Sequence, residues 1–145
     1  MKNLKYICVF SVFLICYGVS YSQESSRLIG DWIFDFDQST IKMSESARAH
    51  FENMANNRKS KVLEFYEDRI LSFSPDGVYK VTLSDDRQIL GSWDINDTGI
   101  LSIALNETKN LTYNYSFAGD EVLILKAQGS LGNPLFKELI FVKKQ

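Results

Sequence analysis

Apolar and polar residues alternate with a period of two through most of this chain. Residues 28–36, LIGDWIFDF, open the pattern, with Gly30, Trp32, Phe34 and Phe36 on one face and Asp31, Ile33 and Asp35 on the other. From Arg69 onward the alternation predicts strands over 70–73, 78–83, 88–95, 100–105, 111–117, 122–126 and 136–142. Turn residues separate them: Ser74-Pro75-Asp76-Gly77, Ser84-Asp85-Asp86, Asn96-Asp97-Thr98-Gly99, Asn106-Glu107-Thr108, Gly119-Asp120 and the stretch 129–134. Links this short force antiparallel neighbours, because a parallel crossover needs about a dozen residues or more. Eight such strands, each with one apolar face, escape their edges by closing into an up-and-down barrel.

One stretch breaks the period. After Ser44, a residue suited to a helix N-cap, Ala47, Phe51, Met54 and Ala55 recur at helical spacing, which predicts an amphipathic helix over 44–57. Val62 and Phe65 continue the stripe after a polar gap and predict a second short helical segment ending near 66. The spacing leaves open whether the two fuse. Lying between strands one and two as the only long connection, this insertion covers an end of the barrel or packs on its side. Residues 44–66 are read as a lid, with Phe51 and Met54 facing the barrel.

Two strands pair a glycine with a tryptophan two places on, Gly30 with Trp32 and Gly91 with Trp93. A strand crossing the tapered end of a small barrel needs one position without a side chain beside one bulky plug. Both pairs therefore read as structural, and each indole N–H requires an acceptor such as a backbone carbonyl.

Composition adds a destination. Lys2 and Lys5 precede an apolar stretch over 6–17, and Ser20-Tyr21-Ser22 supplies small residues for cleavage, so residues 1–22 read as a signal peptide and Gln23 as the new N-terminus. The apolar stretch is shorter than the roughly 20 residues of a membrane span. Secretion or a periplasmic location follows. Anchoring as a lipoprotein through Cys16 is disfavoured, since Ile15 rather than a small residue precedes it. Cys8 and Cys16 both lie in this leader, so residues 23–145 form one domain with neither a disulfide nor a thiol. That domain keeps 14 basic against 18 acidic residues, a net charge of −4. Nucleic acid, which demands a basic stripe, is not an expected partner.

Residues with chemical potential are scattered. His50 is the lone histidine and has no companion at ligand or catalytic spacing. Asp31 and Asp35 share the outer face of the first strand, where acids serve solvation. Asp85, Asp86, Asp94 and Asp97 sit at turns, too sparsely spaced for a calcium loop. Asn96, Asn106, Asn110 and Asn114 begin Asn-x-Ser/Thr triplets that read as turn and strand chemistry. Arg58, Lys59 and Lys61 either attract a carboxylate-headed ligand or sit at a solvated helix end. No catalytic residue, metal site or cofactor is predicted.

The glycine and tryptophan of the first strand, with LSFSPDGVYKV, GSWDIND and ILSIAL, give the chain a pattern that resembles the lipocalins and their calycin relatives. In particular it is similar to small lipocalin-like proteins exported by Bacteroidetes. The resemblance implies a small hydrophobic ligand, fatty acid or lipid-like, held in the lumen. A lid between strands one and two is similar instead to that of intracellular fatty-acid-binding proteins, which have more strands. The inward residues Phe34, Phe36, Phe73, Tyr79, Val81, Trp93, Ile103, Tyr113, Tyr115 and Leu123 would contact such a ligand. An eight-stranded barrel holds one small ligand or is filled by its own side chains. The second case would make this an interaction or structural module of the cell envelope.

Overall fold

The computed structural model describes residues 24–129 and 135–145; the proposed leader and most of the last turn lie outside the described residues. Eight antiparallel strands run in chain order: β1 (Gly30–Phe34), β2 (Ile70–Phe73), β3 (Val78–Thr82), β4 (Gln88–Ile95), β5 (Leu101–Ala104), β6 (Asn110–Ala118), β7 (Val122–Ala127) and β8 (Leu139–Lys143). Each pairs with its sequence neighbours, and β1 closes on β8 with Ile33 opposite Val142, so the sheet is a closed up-and-down barrel. Closure leaves no edge in the sheet.

Register sets which residues face inward. Trp32 stands opposite Leu71, Phe73 opposite Tyr79, Trp93 opposite Ile103, and Leu123 opposite Phe141. Tyr79 also stands opposite Gly91, so the largest ring on β3 meets a residue without a side chain. The turns owe their shape to local bonds. Asn96 Oδ1 accepts from the backbone N–H groups of Thr98 and Ile100, and Asn106 Oδ1 accepts from those of Thr108 and Lys109. Both triplets are built into turns by their own asparagines.

Three helices join β1 to β2: α1 (Phe36–Ile41), α2 (Glu45–Glu52) and α3 (Asn56–Tyr66). Ser44 caps α2, accepting from the Ala47 N–H at 3.2 Å. The stripe predicted as one helix over 44–57 breaks after Glu52, where Asn53 is the C-cap and its side-chain amide as well as its backbone N–H donates to the Ala49 carbonyl. α3 then starts afresh and is longer than the short segment expected.

Two further boundaries differ from the alternating pattern. The first strand stops at Phe34, since Asp35 accepts from the Gln38 N–H at 2.9 Å and so caps α1. Asp35 is thus a helix cap rather than an outward acid, and Phe36 belongs to α1 instead of the lumen wall. The last strand starts at Leu139, which frees Phe136 and makes the link from β7 to β8 a second long connection. Asp94 lies within β4, not in a turn.

The two ends of the barrel are closed differently. At one end a helical turn over 24–28 folds across the opening. Leu28 is fully buried, its carbonyl accepts from the Trp32 indole at 2.8 Å, and the Arg27 guanidinium lies 4.2 Å from the centre of the Phe117 ring. Lys143 Nζ sits 5.3 Å from the Trp32 ring, and the Trp93 indole donates to the Ser74 carbonyl at 3.0 Å. Both tryptophans therefore have carbonyl acceptors. At the other end lie the three helices, Phe136 and the residue that precedes β2.

Candidate functional site at the helix-capped end

The middle of the barrel is solid. Trp32, Leu101, Leu123 and Phe141 have no accessible surface, and Leu71, Ile103 and Leu125 have about 1%. A water-sized void would expose its lining, so none touches these residues. Of the residues predicted to line a lumen, Phe34, Phe73, Tyr79, Val81, Ile103 and Leu123 are buried in this packed core. Trp93 and Tyr115 are half-buried near the end closed by the 24–28 turn, where the Tyr115 hydroxyl approaches Glu24. Tyr113 faces the opposite end.

That opposite end holds an aromatic cluster. Phe34, at the last position of β1, is ringed by Tyr66, Phe136 and Phe141 at centroid distances of 5.3, 5.5 and 5.3 Å. Phe36 leaves the strand parity and packs on Phe51 and Phe136 at 6.3 and 5.9 Å. Phe51 and Met54 are half-buried against the core, as a lid face requires, yet neither α2 nor α3 buries a residue completely. Hydrogen bonds join the helices to the barrel: α3 accepts from the Ser84 hydroxyl at the Glu64 carbonyl, and Ser39 of α1 accepts from the Ile140 N–H at 2.9 Å. Between β6, β7 and Phe136 lies a pocket of about 60 Å³, bordered by Asn110, Leu111, Tyr113, Gln128 and Leu139. Its volume is well below the roughly 300 Å³ of a small-molecule cleft.

One charge is buried here. Arg69 precedes β2 at the same inward parity as Leu71 and Phe73, and only 8% of it is exposed. Its carbonyl accepts from the Phe34 N–H at 2.8 Å, which fixes the backbone where the barrel meets the helices. The guanidinium carbon lies 5.2, 5.5 and 5.9 Å from the centres of Tyr66, Phe65 and Phe141, and the buried Nε has no hydrogen-bond partner among the described residues. Removing an unpaired ion from water costs several kcal/mol. Each ring face returns about 0.5–2 kcal/mol, less toward the 6 Å limit, so three distant rings offset the cost only in part.

Two tyrosines feel that charge. Burial pushes the Tyr79 phenol far above its usual range, with Arg69 pulling it back and Tyr113 adding to the rise. Tyr113 is likewise raised by burial, against the pull of Arg69 and with a push from Tyr66. Both hydroxyls stay protonated as donors. Nothing in the alternation singled out Arg69 or Phe136. The available signal was a charged residue at inward parity one place before β2, and a phenylalanine two places after Pro134.

The remaining candidates are dispersed. His50 is exposed in the last turn of α2, and Asp31 is exposed on β1. Lys59 donates to the Glu52 carbonyl at the end of α2, whereas Arg58 and Lys61 stand exposed in the first half of α3. Among the described residues no group of three His, Cys, Asp or Glu side chains could hold a metal, and no helix is long and apolar enough to cross a membrane. Compared with protein-family models, curated proteins and solved structures, the chain matches none. The site must be judged by its own geometry.

Proposed function

We propose that this is an exported, lipocalin-like barrel that binds a small apolar molecule, with the ligand seated at the helix-capped end and not in mid-lumen. The observation that carries this reading is the aromatic cluster under α1 to α3, where half-buried Phe36, Phe51 and Tyr66 pack over buried Phe34 and Phe136, next to the pocket at Tyr113. A solid middle supplies rigidity, and α2 and α3, which bury no residue completely, supply an opening that enlarges the pocket. Lids are drawn from the least stable parts of a fold.

The packed middle favours a second reading, a filled-core module that docks on another component of the cell envelope. Native mass spectrometry and thermal shift with decan-1-ol and decanoate separate the two. Under the first reading one ligand is retained per barrel, and at one hundred times Kd the stabilisation is about 2.7 kcal/mol, a rise of several degrees in Tm. Tyr113→Trp, which fills the pocket, should weaken that retention without unfolding the barrel. A chain that neither retains nor responds to either compound leaves the second reading standing.

A further inference from the structure

Arg69 gives the proposed ligand a chemical class. The side chain is more than nine-tenths buried and directed toward the helix-capped end, between Tyr66 and Phe141. A guanidinium carries five N–H donors and remains protonated wherever a protein is folded. The buried Nε finds no hydrogen-bond partner among the described residues, and no acid among them stands within ion-pair distance of the guanidinium. Nor does the sequence hold a carboxylate in reserve. Residues 1–23 and 130–134 contain no Asp or Glu, so every acidic residue of the chain lies among those described and none reaches Arg69.

An arginine in an apolar setting without a carboxylate of its own is the complement of a carboxylate that arrives from outside. The planar fork takes both oxygens of such a group at once. Phe34 and Tyr66, which pack beside it, present an apolar wall on which a hydrocarbon body can lie. Building on the reading of this end as the ligand seat, we propose that the ligand is an anionic amphiphile, a carboxylate head on Arg69 with an apolar body under the helices. Tyr113, at the border of the pocket, lies near enough to Arg69 for that charge to act on its phenol, and in this arrangement its hydroxyl would donate to the same head group.

The test titrates decanoate, decan-1-ol and inorganic phosphate against the wild type, Arg69→Met and Arg69→Lys, by calorimetry or native mass spectrometry. The wild type should bind decanoate about tenfold more tightly than decan-1-ol or better, the worth of a charge-assisted hydrogen bond. Arg69→Met should abolish that preference while binding decan-1-ol within about twofold of the wild type. Arg69→Lys, a point charge without the fork, should fall between. Arg69→Met removes an unpaired buried ion and is expected to fold with an equal or higher Tm, so loss of preference will not reflect loss of structure. Equal binding of acid and alcohol by the wild type overturns the carboxylate while sparing the ligand seat. Preference retained by Arg69→Met overturns Arg69 as the anchor. Phosphate bound as tightly as decanoate overturns the amphiphile in favour of a simple anion. No binding of either decyl compound overturns the ligand seat itself, and the head group with it.

Discussion

A methyl group at Gly91 would run into the carbonyl oxygen of Ala104, with the carbonyl carbon at 3.2 Å and Leu105 Cα at 3.3 Å. These are backbone atoms of the neighbouring strand and have no room to retreat. At Gly30 the same addition meets only the flexible Lys143 side chain at 3.7 Å, but the backbone there has φ +126°, which disfavours any residue with a Cβ. The two Gly-x-Trp segments look alike in the chain and need glycine for different reasons, space at one and conformation at the other. Gly91→Ala should cost about 1–3 kcal/mol, the usual range for overpacking, measured by urea denaturation. A neutral result would mean that β5 yields. Arg69 and Phe136 could not be read the same way, because their importance comes from what surrounds them and not from their neighbours in the chain.

Helix α1 shows how an element hides within another's pattern. Phe34 and Phe36 keep the parity of a strand, so the alternation runs on, while Asp35 and Gln38 meet as a helix cap. The local cue was present, and it lost because an aspartate on an alternating run also suits an outer strand face. What settles the matter is Ser39, fully buried, whose hydroxyl accepts from the Ile140 N–H and pins α1 to β8. Ser39→Ala would leave that N–H buried without a partner. It should cost about 1–3 kcal/mol by chemical denaturation, and hydrogen exchange at Ile140 should quicken before that of the remaining strands. Strands β2 and β4 match their expected bounds, because a turn of strong chemistry flanks each. The last strand is shorter than expected, and Phe136 leaves the ladder to fill the aromatic cluster.

Closure gives the whole molecule its behaviour with pH. Tyr79 and Tyr113 face a packed interior and hold their protons above the ordinary value, with burial as the chief cause. Unfolded tyrosine titrates near pH 10. Below that value both states carry the proton and these two groups leave stability level with pH. Above it the unfolded chain releases protons that the folded barrel keeps, so stability falls as pH rises, by up to about 1.4 kcal/mol per pH unit for each tyrosine. Tyr79→Phe should flatten this alkaline decline relative to the wild type, in unfolding curves taken at intervals between about pH 8 and pH 11. An unchanged slope would show that the Tyr79 phenol is open to solvent.

Strand number, order and antiparallel pairing follow from the chain alone, because alternation and turn chemistry act over a few residues and short links permit one arrangement of neighbours. The site does not follow in this way. Whether an interior is solid depends on the summed volume of side chains from all eight strands, and whether Arg69 has a partner depends on every acid in the molecule. Those are properties of positions in space, which only the closed barrel with its helical cap brings together.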